Sequence, residues 1–502
     1  MRGSAFLACG GNSSSLLDAW EGDAYHGRRM MAREGDSGRT EERRRALLIG
    51  LALLCCYGYF FYLGGNWNVE SRSAQIYALA ERGSLVIDDY PFLPEGGGDA
   101  ARYQGQYYSD KLIGPSLVGV PVYWVARRAV STAGVDFNMA VYLALRIANV
   151  VVNAIPAALL GALLYLFLAE LGLSSGLRVW AAFVYGLGTL ALPYSTALFG
   201  HQFAAVCVCG SFMLLWRQRR EWSTGRAAAA GALAGLGAIS DFMGLVIALF
   251  IGLYAVWIAL GREQEERTGA AGAAGRVALF AAVGVLVLCI QLGANWASFG
   301  GPLELPQAHH ATLGAHHEAG LLGIGAPKPE ALYQVTIGPY RGLFYGSPVL
   351  LLALPGLFLL ARKRRAEAVM IGAAWVAVLL IHSGYTDWPA GTAYGPRYQI
   401  AAIPLLMLAA AEAGKRWPFV LKALAVISIG FMMIVCAQNP FGIPVDVRNP
   451  LGAALGGFAA GDLKHGNLGM LMGLTGIASL LPLAVAEVGF VYGLWRVRGR
   501  EE

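Results

Sequence analysis

A chain of 502 residues that is 56% hydrophobic and only 14% charged is not an ordinary soluble domain, in which about a quarter of residues carry charge. Its apolar runs of roughly 17 to 25 residues match the hydrocarbon core of a bilayer and indicate a polytopic helical membrane protein. The net charge of +6 does not argue for nucleic-acid binding, because the basic residues gather at one set of segment ends.

Residues 1–44 are polar, rich in Gly, Ser, Arg and Glu, and without periodicity, which predicts a disordered cytoplasmic tail. The first apolar run starts too late for a signal peptide and has no small-residue cleavage site after it. Apolar segments follow at about 45–64, 138–171, 177–194, 199–216, 226–240, 243–261, 276–297, 346–361, 367–383, 398–413, 417–436 and 467–495. Gly114–Val130 is shorter, ends in Arg127 and Arg128, and reads as a helix lying in the interface. With that assignment Arg43–Arg45, Arg217 to Arg220, Arg262 and Arg267, Arg362 to Arg365, Lys415-Arg416 and Arg496, Arg498 and Arg500 all fall on one side. The positive-inside rule then places both termini, including the tail 496–502, in the cytoplasm. Loops 65–137, 298–345, 384–397 and 437–466 lie together on the opposite face.

The first of these loops carries Glu70, Arg72, Asp88, Asp89, Asp99, Tyr107, Tyr108, Asp110 and Lys111. Carboxylates can take a proton from a hydroxyl, and Arg and Lys can hold a phosphate. Ser71–Arg82 predicts a short amphipathic helix along the membrane surface, with Gly83 as its C-cap. Asp110-Lys111, with tyrosines upstream and Gly114-Pro115 downstream, reads as a binding corner.

Further along, His201 at a helix start is placed to bond a sugar or to be a satisfied buried histidine, and Asp241 in a tight turn reads as a helix N-cap. His309-His310 and His316-His317 make a divalent metal the one cofactor candidate. No carboxylate or cysteine ligand pattern accompanies them, so no metal ligand is assigned. Tyr340-Arg341 precedes a span, with Arg341 as a further anion contact. Loop 384–397 offers Asp387, Trp388, Tyr394 and Arg397, aromatic planes beside charged groups, as a sugar ring requires. Six cysteines (Cys55, Cys56, Cys207, Cys209, Cys289, Cys436) sit in apolar segments and read as small buried hydrophobes. No Gly-rich nucleotide loop is present in strand–helix context.

Val69-Glu70-Ser71-Arg72, the following AQIYALAERGSLV and Tyr108-Ser109-Asp110-Lys111 resemble the first periplasmic loop of the GT-C superfamily. These are membrane glycosyltransferases that use polyprenyl-phosphate sugars. The pattern is closest to the lipid A aminoarabinose transferase and protein O-mannosyltransferase branch, which is glycosyltransferase family 39-like. Arg341-Gly-Leu-Phe and Gly-Pro-Arg397-Tyr also resemble uncharacterised bacterial members. The resemblance implies an all-α GT-C-like bundle of about 12 transmembrane helices over 45–495 in a bacterial inner membrane. It implies transfer with inversion from a polyprenyl-phosphate-linked sugar donor to an extracytoplasmic lipid, glycan or protein.

Arg72 and Lys111 carry over as ligands of the lipid phosphate, with Tyr108 and Asp110 in the donor or acceptor pocket. The branch has an Asp taken as catalytic base where this chain has Val69, so the base falls to Glu70, Asp110 or one of Asp88 and Asp89. Arg341 joins the phosphate ligands, and His201, Tyr340, Trp388, Tyr394 and Arg397 the substrate pocket. Two rival classes remain. A secondary transporter or lipid flippase would show internal repeats and ionisable residues at the midplane. A non-catalytic scaffold would bind a glycolipid without turnover.

Overall fold

The computed structural model describes residues 38–62, 64–219, 222–312, 314, 320 and 323–498. Residues 38–44, expected to belong to a disordered tail, continue the first apolar segment as one helix, α1 (38–59), and residues 1–37 of that expected tail lie outside the described residues. The helix can extend because its charges find partners. Arg178 donates to both oxygens of Glu42 at 2.6 and 2.8 Å, and Arg45 donates to Ser175 at 2.6 Å.

Among the described residues six helices are long and apolar enough to cross a membrane: Phe137–Phe167, Phe242–Ala259, Ala271–Phe299, Arg365–Gly384, Pro418–Ala437 and Gly476–Val497. The other apolar segments form helices that are shorter or more polar, among them Ser175–Leu187, Gly200–Gln218, Thr224–Ala238 and Ile403–Arg416. The first long helix is α4 (Phe137–Asn149) and α5 (Ile155–Phe167), joined by a π turn at Val150–Ala154. Pro156 has no N–H to return to the preceding turn, and the wider π turn accommodates it.

Charged helix ends meet at one end of the bundle. Besides Glu42–Arg178, Arg217 pairs with Glu170 at 3.0 Å, Arg219 with Glu367, and Lys415 with Glu412 at 2.5 Å. The basic clusters grouped by the sequence therefore include side chains that touch the same end of the fold. Helix–helix approach depends locally on glycine. A Cβ at Gly356 would run into the backbone carbonyl of Ala409, where helix Ala353–Ala361 crosses Ile403–Arg416. Gly356→Val is expected to cost about 1–3 kcal/mol by overpacking, read as a lower melting temperature in detergent. An unchanged melting temperature would show that this crossing yields freely.

The opposite end carries the polar loops. Helix α2 (Trp67–Arg82) starts four residues before the expected Ser71, because Asn66 caps it by accepting from Asn68 N at 3.1 Å. It ends as expected at Gly83, whose left-handed backbone (φ 62°) turns its N–H back to Ala78 and Leu79. It does not lie open along a surface: every residue from Asn68 to Ala78 is buried. Helix α3 (Gly114–Ser131), the expected interfacial segment, packs against it, with Ser116 donating to Gln75 at 2.6 Å.

Between these two helices the sequence forms a hairpin of β1 (Ala100–Tyr103) and β2 (Gln106–Ser109). Gln104 (φ 50°) and Gly105 (φ 86°) both take positive φ at its tip, as a two-residue hairpin turn requires.

Candidate functional site

Helical periodicity divides the residues of α2 that the sequence places side by side. Positions 68, 71, 72 and 75 share one face, while Val69, Glu70 and Ser73 point elsewhere. The Glu70 face lines a cavity of about 410 Å³, together with Tyr62, Trp67, Tyr90, Tyr142 and Arg146. Tyr90 donates to Glu70 Oε2 at 2.9 Å, and Gly65 N–H to Oε1 at 3.4 Å. Burial pushes the Glu70 carboxyl above its ordinary range despite these donors. Val69 lines the same cavity, so neither position of the expected acidic pair faces the groups around Arg72.

The Arg72 face meets the base of the hairpin. The register pairs Ala100 with Ser109, which brings Asp99 and Asp110 to adjacent positions across the open end. Lys111 closes that end, its Nζ lying 2.8 Å from Asp99 and 2.6 Å from Asp110. Burial on its own raises the Asp99 carboxyl, and the Lys111 ammonium brings it below its usual value. Ser71 donates to Asp110 Oδ1 at 3.0 Å, Gln307 donates to the Asp110 carbonyl at 3.0 Å, and His310 Nε2 lies 3.7 Å from Asp110 Oδ2.

Arg72 donates to Asn68 and to the Leu112 carbonyl, each at 3.4 Å, and lies against Gly200. Burial pulls its guanidinium down to about 10, with Asp241 and Asp110 pulling the other way. Behind Gly200, at the start of helix Gly200–Gln218, His201 Nδ1 is 2.8 Å from Asp241 Oδ2. Asp241 also caps helix Phe242–Ala259, accepting from Met243 N at 3.4 Å as the N-cap reading expects.

Arg397 comes in from loop 384–397, near enough to Arg72 and Asp99 for their charges to act on one another. It lies over Tyr398, 5.4 Å from the ring centre, and the same ring meets His201 and His382 edge-on at 5.9 and 4.9 Å. Segments far apart in sequence thus bring Arg72, Asp99, Asp110, Lys111, His201, Asp241 and Arg397 into one polar cluster. Arg72, Asp110, His201, Asp241 and Arg397 are each no more than 9% exposed.

Several expected site residues lie outside it. Asp89 forms an ion pair with Arg82 on an exposed turn. Tyr108 donates to Gln106 at 3.0 Å and packs on Phe299. Arg341 is 1% exposed and donates to the carbonyls of Ala393 and, at 2.7 Å, Gly391, so its fork clamps loop 384–397 from within the protein. Tyr340 donates to Val445 O at 2.7 Å and meets Trp388 edge-on at 5.8 Å. The Trp388 carbonyl contacts His382 Nε2 at 3.0 Å, and the Tyr394 carbonyl accepts from Tyr194 at 2.9 Å.

His382 and Gly200 carry no functional signal in the sequence, since each is one small or polar residue in an apolar run. His309 pairs with Glu304 at 3.0 Å, while His316 and His317 lie outside the described residues. No group of three or more potential metal-ligating side chains occurs among the described residues. The chain matches no family model and no curated protein.

Proposed function

We propose that this chain is a GT-C-type membrane glycosyltransferase that moves a sugar from a polyprenyl-phosphate carrier to an extracytoplasmic acceptor with inversion. In this reading all twelve apolar segments span a bacterial inner membrane and both termini are cytoplasmic. The observation that carries it is the cluster of three cations and three carboxylates, built from segments far apart in sequence, at the end of the bundle opposite the basic helix ends. Displacing a phosphate from an anomeric carbon needs cations for the leaving phosphate and an acceptor for the hydroxyl proton. Arg72 and Arg397 are the phosphate holders in this arrangement. Lys111 is already committed to two carboxylates.

The test is mass spectrometry of envelope lipids and glycans from a deletion strain, complemented by wild-type or Arg72→Ala protein. A sugar that disappears on deletion, returns with wild type and falls at least about 100-fold with R72A is the expected result. Full restoration by R72A would refute the assignment. Transport is the second reading. Glu487, a carboxylate within the span Gly476–Val497 with a buried and unpartnered Oε1, favours it. Proton- or sodium-driven uptake in proteoliposomes, lost in E487Q, would decide for transport. Binding of a polyprenyl phosphate without turnover of any sugar would leave a scaffold.

A further inference from the structure

We infer that His201, oriented by Asp241, is the general base of the proposed transfer, in place of any carboxylate on α2. The inference rests on the glycosyltransferase reading and adds to it the group that takes the proton. An ionised carboxylate only accepts hydrogen bonds, so the 2.8 Å contact between Asp241 Oδ2 and His201 Nδ1 puts the imidazole proton on Nδ1. Nε2 then carries the lone pair. That nitrogen is buried, and no hydrogen-bond partner reaches it. A buried polar atom without a partner costs free energy, and a bound hydroxyl would satisfy it.

Asp241 is itself held in place by capping helix Phe242–Ala259. The residues facing His201 are Arg72 from α2, Arg397 and Tyr398 from the loop after helix Arg365–Gly384, His382 from that helix, and Tyr194 from helix Ala191–Ser195. None of the α2 carboxylates is in this group, because Glu70 points into the separate cavity.

In the reaction, the acceptor oxygen forms its bond to the anomeric carbon as its proton moves to His201 Nε2. The bond from that carbon to the phosphate oxygen breaks, and its electron pair leaves on the polyprenyl phosphate between Arg72 and Arg397. The imidazolium then returns the proton to the departing phosphate or to water. Asp241 is a positioning residue and takes no proton.

The test uses full-length protein in vesicles, with undecaprenyl phosphate carrying mannose, glucose or 4-amino-4-deoxyarabinose and an envelope extract as acceptor. Release of undecaprenyl phosphate is followed from pH 5 to 9. His201→Asn keeps a donor for Asp241 but removes Nε2. It is expected to lower turnover by about 10²–10⁴-fold, with donor KM little changed. Wild type should lose rate toward acid as the imidazole is protonated, and D241N should displace that limb. H201N and H201Q rates within about threefold of wild type, or a wild-type profile without an acidic limb, would overturn the base assignment alone. A wild type that turns over none of the three donors would overturn the glycosyltransferase reading and the base with it.

Discussion

Lys111→Ala is expected to lower the stability of the protein by about 3 kcal/mol near pH 7.5, the cost of removing one partner from a buried ion pair. The reason is local. Asp99 and Asp110 both lie within 3 Å of one ammonium, and their side chains are only 14% and 7% exposed. Without Lys111 two carboxylates share a buried site, with the more distant Arg72, Arg397 and His310 to offset them.

The pH dependence should reverse in sign. In wild type the Asp99 carboxyl is held below its usual value, so its contribution is present above the unfolded value and is lost as pH falls through the folded one. In K111A the pair holds a proton above the unfolded value, so stability rises as pH falls. Melting in detergent at pH 5 and pH 8 should therefore show the gap between wild type and K111A narrowing toward acid. The double variant K111A/D99N should recover part of the loss. A gap independent of pH would show that the ammonium acts through packing alone.

Gly200→Ala should destabilise by about 2 kcal/mol and displace Arg72 in the same step. A Cβ at this position would run into the Ser240 carbonyl on one side and lie 2.7 Å from Arg72 Nη2 on the other. The carbonyl belongs to the turn between helices Thr224–Ala238 and Phe242–Ala259 and cannot yield. The guanidinium is held by Asn68 and Leu112. Combining G200A with R72A should therefore cost less than the sum of the two, because one clash disappears when Arg72 is shortened. Thermal denaturation of the four proteins in one detergent measures this. Additive losses would mean that Arg72 does not lie against Gly200.

Much of α2 was legible before its surroundings were. The Gly83 cap, the apolar and polar spacing up to Arg82 and the Gly-Pro start of α3 are local signals, and local backbone preference is what places them. Its beginning was missed because Trp67 and Asn68 become helical through the Asn66 cap, a polar residue beside two glycines that resembles loop. The separation of Glu70 from Arg72 follows from helical periodicity once the helix extends back past both. With the start set at Ser71, the two read as neighbours at the helix start.

Composition and charge by themselves determined that the chain is helical, apolar and asymmetric in its charged ends. These properties are sums over many residues and survive any error in placing one of them. The sequence also named Arg72, Asp110, Lys111, His201 and Arg397 as residues with chemistry to offer. Tertiary structure alone decided which of them meet. Lys111 bridges two acids because a hairpin register sets Asp99 beside Asp110, and Arg341 is turned to the carbonyls it clamps. His201 faces Asp241 across a gap of 40 residues because Gly200 lets helix Gly200–Gln218 start against the turn at Ser240. Contacts of that separation arise from packing between helices, and no local pattern in the chain encodes them.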